Sequence, residues 1–173
     1  MMLAHSARLF ALAAHAAIGQ TRKYTGEPYI AHPERVASLV ASVTSNEAAI
    51  AAAYLHDVVE DTKVSLAVVR EEFGDAVARF VEELTDVSKP EDGNREARKA
   101  IDRAHTAKAS ATAKTIKLAD LIDNSRNIVA HDPDFARVYM PEKRLLLGVL
   151  YEGSPVLWHK ANDIVTQYFS ERQ

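Results

Sequence analysis

The stretch Leu55-His56-Asp57-Val58-Val59-Glu60-Asp61-Thr62 places one imidazole and three carboxylates directly after the apolar run Ala48 to Leu55. Read as one helix, capped by Ser45 or Asn46 and running to Asp61, it puts His56 and Glu60 on one face. Asp57 and Asp61, also four apart, share the adjacent one. Imidazole plus carboxylate is a ligand set for a divalent metal, and paired carboxylates are a general acid–base set. The plainer alternative is a solvated acidic helix end. That alternative has a physical weakness, because the macrodipole opposes negative charge at a helix C-terminus. A divalent cation would supply the missing positive charge.

Further ligands stand elsewhere in the chain. His32 precedes Pro33 at a helix start, and Asp120 lies in Ile116-Lys117-Leu118-Ala119-Asp120, whose apolar residues argue for a packed helix. An acid in such a setting ordinarily has a partner. For Asp120 the simplest partner is Lys117, three residues earlier. For His32 the simplest reading is a histidine in an exposed first turn.

The elements that position these residues read as helices almost without interruption. Leu3, Ala7, Phe10, Ala14 and Ala17 recur at spacings of three and four, and Gln20 to Tyr29, holding Gly26 and Pro28, reads as the loop that follows. Pro33 suits the first turn of a helix carrying Val36, Leu39, Val40 and Val43. Ser65 opens a short helix that stops near Gly74, and Asp75 opens another with Val77, Phe80, Val81 and Leu84. Val87 to Asn94, with Pro90 and Asp92-Gly93, reads as a mobile loop. Helices are then expected over Arg95 to His105, Ser110 to Asn127, Val138 to Leu150 and Pro155 to Phe169, with a turn at Asp132-Pro133. No stretch sustains a two-residue alternation, and no repeat or linker divides the chain. The expectation is an all-α fold, one compact multi-helix bundle, with residues 1–173 forming a single domain.

Composition narrows the class. A 173-residue chain with 47% hydrophobic and 26% charged residues matches an ordinary globular domain and not a disordered, fibrous or membrane-bundle protein. Cysteine is absent, which removes disulfides, zinc–thiolate sites and thiol chemistry. The formal charge of -3 argues against a dedicated nucleic-acid binder. The apolar N-terminal stretch is broken by Arg8, His5 and His15, so an amphipathic helix is expected there in place of a cleaved signal. No run approaches the roughly 20 apolar residues of a membrane span, and a cytoplasmic protein is expected. Nothing in the sequence specifies an oligomeric state.

With these residues in view, a resemblance emerges. His32, His56-Asp57 and Asp120 reproduce the H…HD…D signature of the HD-domain metal-dependent phosphohydrolases. Gly19-Gln20-Thr21-Arg22-Lys23, Gly26-Glu27-Pro28-Tyr29-Ile30-Ala31-His32-Pro33, the 55–62 octet and Lys117-Leu118-Ala119-Asp120 with Asn124 resemble, in order, the hydrolase domain of Rel/Spo-type alarmone enzymes. The likeness runs from about Leu9 to Leu150. The length leaves no room for a synthetase domain, so the resemblance implies a stand-alone small alarmone hydrolase.

The resemblance implies an Mn²⁺ ion held by His32, His56, Asp57 and Asp120; two imidazoles and two carboxylates also suit Fe²⁺, Co²⁺ or Zn²⁺. It assigns Glu60 and Asp61 as the catalytic pair and the substrate as a small purine nucleotide bearing a 3′-diphosphate, (p)ppGpp or (p)ppApp. Pyrophosphate and a 5′-nucleotide are the products. Arg22, Lys23, Lys117, Asn124 and Tyr139 match positions that face the nucleotide, Tyr139 with the least distinctive surroundings. Arg98, Lys99 and Arg126 are further diphosphate candidates, with solvated faces the simpler reading. His5, His15, His105, His131 and His159 match no block and read as surface or packing residues. Two departures bear on the base: Tyr24-Thr25 lengthens the loop before Gly26, and Leu121 stands where a basic residue is common. Adenine is therefore as credible as guanine. The alternatives are an HD-type hydrolase of another nucleotide, such as a 5′-nucleotide or the 2′-phosphate of NADPH, and a non-catalytic nucleotide binder.

Overall fold

The structure, a computed structural model, describes residues 2–172. Among them are nine α-helices and a 3-10 turn, and no β-strand; the sole bridge pairs Thr21 with Pro28. The all-α expectation holds. The chain gathers into two compact units divided between Thr85 and Asp86.

The first unit contains α1 (Met2–Ala17), α2 (Ala31–Ala41), α3 (Glu47–Leu55), α4 (Val58–Asp61) and α5 (Leu66–Leu84). Its centre is α3, which packs on α1, α2 and α5. The sequence explains why: Ala49, Ala51, Ala52, Ala53 and Leu55 are all almost fully buried, and a helix apolar nearly all round must be covered on several sides. Small alanines let three helices approach it closely. Asn46 caps α3 by accepting from the amides of Ala48 and Ala49. Gly74 leaves helical geometry at φ +84° inside α5, so the expected stop and restart are both there. In contrast, the single helix expected from Ser45/Asn46 to Asp61 is broken. α3 ends at Leu55, and Asp57 takes φ -99°, ψ -6° before α4 begins. That is the sparsely allowed bridge region in which active-site residues often sit.

α1 ends in a Schellman motif. Gly19 adopts φ +64°, its amide bonds to the Ala16 carbonyl at 2.9 Å, and the Gln20 amide bonds to the His15 carbonyl at 3.1 Å. The loop beyond is tight, with Arg22 N to Glu27 O at 2.9 Å and Tyr29 N to Gln20 O at 3.2 Å.

The second unit contains the 3-10 turn (Pro90–Asp92), α6 (Arg95–Ala107), α7 (Ala111–His131), α8 (Pro133–Leu147) and α9 (Pro155–Ser170). α7 packs on α8 and α9, and α8 on α9. Pro133, expected in a turn, opens α8, whose Asp132 cap accepts from Phe135 N. Gly153 permits a close approach to α7: a Cβ there would lie 2.8 Å from Leu118 Cδ1 and 3.0 Å from the Thr115 amide nitrogen. Lys114, buried on α7, donates to the Ala107 carbonyl at 3.0 Å and to Glu152, tying α6 and the α8–α9 connection to α7. The start of the expected mobile loop is pinned, since Asp102 accepts from the amides of Val87 and Ser88 and from the Ser88 hydroxyl. Burial raises the Asp102 carboxyl, but those bonds and Lys99 prevail and hold it below its ordinary value.

Candidate metal and acid–base centre

In the first unit, α2 contributes His32 and the α3–α4 junction contributes His56 and Asp57. One ligand atom from each lies within 4.8 Å of the others. Both imidazoles are buried, while the Asp57 side chain keeps 19% of its exposure and so opens the group to the outside. Asp57 Oδ2 is the point of convergence: His56 Nε2 stands 3.1 Å away, His32 Nε2 3.6 Å, and the Tyr29 hydroxyl donates to it at 2.6 Å.

The protonation chemistry of His56 bears on what the group can hold. Its Nδ1 lies 2.7 Å from the Ala53 carbonyl, which can only accept, so Nδ1 carries the hydrogen. In the neutral ring, Nε2 then points a lone pair at a carboxylate oxygen 3.1 Å away. Two acceptors face one another, and only a cation between or upon them, a proton or a metal ion, makes the contact favourable. Two imidazoles and a carboxylate, one imidazole fixed through its far nitrogen and the carboxylate through a phenol, therefore fit a divalent transition metal.

Glu60 and Asp61 follow on the short α4, both exposed. Asp61 Oδ2 accepts from the Gln20 amide at 2.8 Å. Arg22 lies over the Tyr29 ring, with Cζ 5.6 Å from its centroid. Through Tyr29 it joins the same neighbourhood. Lys23 sits beside Tyr24, Nζ to hydroxyl 3.4 Å, at an exposed corner of the loop.

The remaining expected residues belong to the second unit. On α7, Asp120 accepts from Asn124 Nδ2 at 2.6 Å and pairs with Lys117 Nζ at 3.6 Å, so the three share one helical face. The simple ion pair foreseen for Asp120 is present. Tyr139 on α8 is buried, with Lys143 Nζ 4.5 Å from its ring centroid. Burial, then the Lys117 charge, pushes the Lys143 ammonium down to about 8, against the pull of Asp120. Lys99, Arg103, Lys117 and Lys143 line a small polar pocket with Asp86, Asp102 and Glu142. Arg98 is half-buried, and Lys99 is engaged by Asp86 at 2.9 Å.

Sequence reasoning assigned no contact to Gln20 and Tyr29, which donate to Asp61 and Asp57, nor to His15 beside Gln20 or Lys143 beside Tyr139. Gln20 and Tyr29 lay inside the blocks that carried the resemblance. His15 stands one helix cap from Gln20, a link that Gly19 signals. Lys143 is four residues beyond Tyr139 on a helix. Leu121 is buried in α7 packing.

A family model described as HD domain matches residues 7–143. A Synechocystis sp. protein named a probable guanosine-3′,5′-bis(diphosphate) 3′-pyrophosphohydrolase is 39% identical over 121 residues, which is 68% of this chain and 16% of that protein. A Drosophila melanogaster guanosine-3′,5′-bis(diphosphate) 3′-pyrophosphohydrolase is 39% identical over 117 residues, 66% of this chain and 64% of that one. The chain thus spans less than two thirds of either relative. A solved structure described as a metazoan ortholog of SpoT that hydrolyzes ppGpp superposes with a TM-score of 0.86 at 30% identity, over 97% of this chain and 96% of that one.

Proposed function

The chain belongs to the HD-domain family, and from that premise we propose that it hydrolyses the 3′-diphosphate of a purine alarmone, (p)ppGpp or (p)ppApp, with Mn²⁺ as its metal. The observation that carries the reading is the His32–His56–Asp57 group with Glu60 and Asp61 on the next helical turn. The names of the relatives and the near-complete overlap with a structure described as hydrolysing ppGpp support the substrate. Residues 1–173 act as one domain in this reading, working on a small nucleotide in the cytoplasm.

His32, His56 and Asp57 would hold the ion, and the family resemblance adds Asp120 as the fourth ligand. A divalent ion bound there supplies Lewis acidity toward a phosphoryl oxygen and makes an attacking water more acidic. The chain's own residues do the rest. One carboxylate of Glu60 and Asp61 takes the proton of the attacking water. As the water oxygen bonds to phosphorus and the bond from phosphorus to the 3′ oxygen breaks, the protonated partner delivers a proton to that oxygen. Pyrophosphate leaves, and the nucleoside keeps a free 3′-hydroxyl. Arg22, held over Tyr29, can stack on a base or neutralise phosphate, and Lys23 adds charge at the loop corner. Lys117, Asn124 and Tyr139 serve as nucleotide contacts in this assignment.

The test is a side-by-side assay with Mn²⁺ on ppGpp and ppApp. Pyrophosphate from either one bears the reading out, and the ratio gives the purine. Orthophosphate from a 5′-nucleotide or from NADPH, with neither alarmone turned over, favours a different nucleotide. Binding without turnover across several metals favours a pure binder.

A further inference from the structure

His15 is buried to 1% exposure, far from any role the family signature gives it. A buried imidazole is a costly way to fill space, since a phenyl ring packs there without a polar group to satisfy. Its hydrogen bonding is spent on one partner: Nδ1 lies 2.7 Å from Gln20 Oε1, and Nε2 is buried without a hydrogen-bond partner among the described residues. Gln20 in turn donates Nε2 to Asp61 Oδ2 at 2.8 Å.

The polarity of this chain of bonds is fixed by chemistry. A carboxylate can only accept, so Gln20 must turn its NH₂ toward Asp61. Its carbonyl oxygen then faces His15, which must donate from Nδ1. The backbone reinforces the pairing, because the Schellman bond from Gln20 N to His15 O joins the same two residues. Asp61 is exposed at the end of a four-residue helix and would otherwise sample several rotamers. Gln20, with three side-chain torsions of its own, is a firm donor only if its far end is held.

We infer that His15 is a positioning residue for Asp61, acting through the Gln20 amide, so that a buried imidazole on α1 sets the orientation of a carboxylate 46 positions along the chain. The inference rests on the acid–base role given to Asp61 above. His15 braces the neighbouring carboxylate as well: its ring packs 4.6 Å from that of Tyr29, the donor to Asp57.

Two substitutions separate positioning from packing. His15→Phe keeps the ring volume and removes the donor. His15→Asn leaves a void but keeps an amide nitrogen near the place of Nδ1. Steady-state kinetics on ppGpp with Mn²⁺ would be measured for both, with Gln20→Leu and with Asp61→Ala alone and combined with His15→Phe. Positioning predicts that His15→Phe and Gln20→Leu lower kcat by about ten- to hundredfold with KM within about twofold. It predicts that His15→Asn retains more kcat than His15→Phe despite a lower melting temperature, and that His15→Phe has no further effect once Asp61 is Ala. Unchanged kcat in His15→Phe, a better rate for Phe than for Asn, or a full His15→Phe loss in the Asp61→Ala background overturns the inference while leaving the hydrolase reading intact. A wild-type protein that releases no pyrophosphate overturns both.

Discussion

Asp57 Oδ2 receives a phenol and faces two imidazoles, and each of those contacts constrains how it can serve a cation. Tyr29→Phe removes the 2.6 Å donor while keeping the ring that stacks on His15 and carries Arg22. Loss of such an outer partner lowers metal affinity by roughly 10–100-fold; calorimetric titration with Mn²⁺ reads this directly, and unchanged affinity would show the phenol to be incidental. Glu60→Gln and Asp61→Asn should each lower kcat by about 10²–10⁴-fold while metal binding persists. At this scale the sequence was partly legible. His32, His56 and Asp57 were visible because ligand types and motif spacing are written in order along the chain. Gln20 and Tyr29 were not, because their contacts are long-range: Gln20 meets Asp61 across 41 positions and Tyr29 meets Asp57 across 28. No periodicity reports such a meeting.

Among the elements, α7 illustrates how packing fixes the polar face that carries Lys117, Asp120 and Asn124. Gly153→Ala would drive a methyl against Leu118 and the Thr115 backbone, and overpacking of this kind costs about 1–3 kcal/mol. A melting temperature lowered by several degrees is expected, and an unchanged one would mean that the α8–α9 connection yields freely. On α8, Lys143 gives a pH signature. Its folded value of about 8 lies below the ordinary 10.5, so the unfolded chain binds the extra proton between those values. Stability therefore rises as pH increases through that window, and the penalty is fully present below it. Lys143→Met should flatten the dependence between pH 8 and 10 in paired thermal melts; parallel curves for the two proteins would contradict the assignment. Element boundaries followed local chemistry where a residue announced them, as with Gly74, Asn46 and Ser65. The break at His56-Asp57 gave no such signal, because neither residue is a helix breaker and apolar residues continue on both sides. It accompanies the turning of the Asp57 carboxylate toward His32, His56 and Tyr29.

For the whole chain, the helical character came from alanine-rich composition and from periodicity alone, whereas the division between Thr85 and Asp86 falls just ahead of Val87 to Asn94, a stretch legible only as a loop. Helical spacing stops at Leu84 and resumes at Arg95, and the eight residues from Val87 to Asn94 are too few to have signalled more than a loop within one domain. Family membership spans that boundary, since the HD-domain match covers residues 7–143. On the proposed reading, this chain cleaves a 3′-diphosphate at a metal centre built on His32, His56 and Asp57. The most direct test is product analysis of ppGpp incubated with the Mn²⁺-loaded protein, the chelated protein and Asp57→Ala. Stoichiometric pyrophosphate and guanosine 5′-diphosphate from the first alone is the predicted result. Orthophosphate as the product, equal turnover in all three, or no turnover with Mn²⁺ demonstrably bound would contradict it.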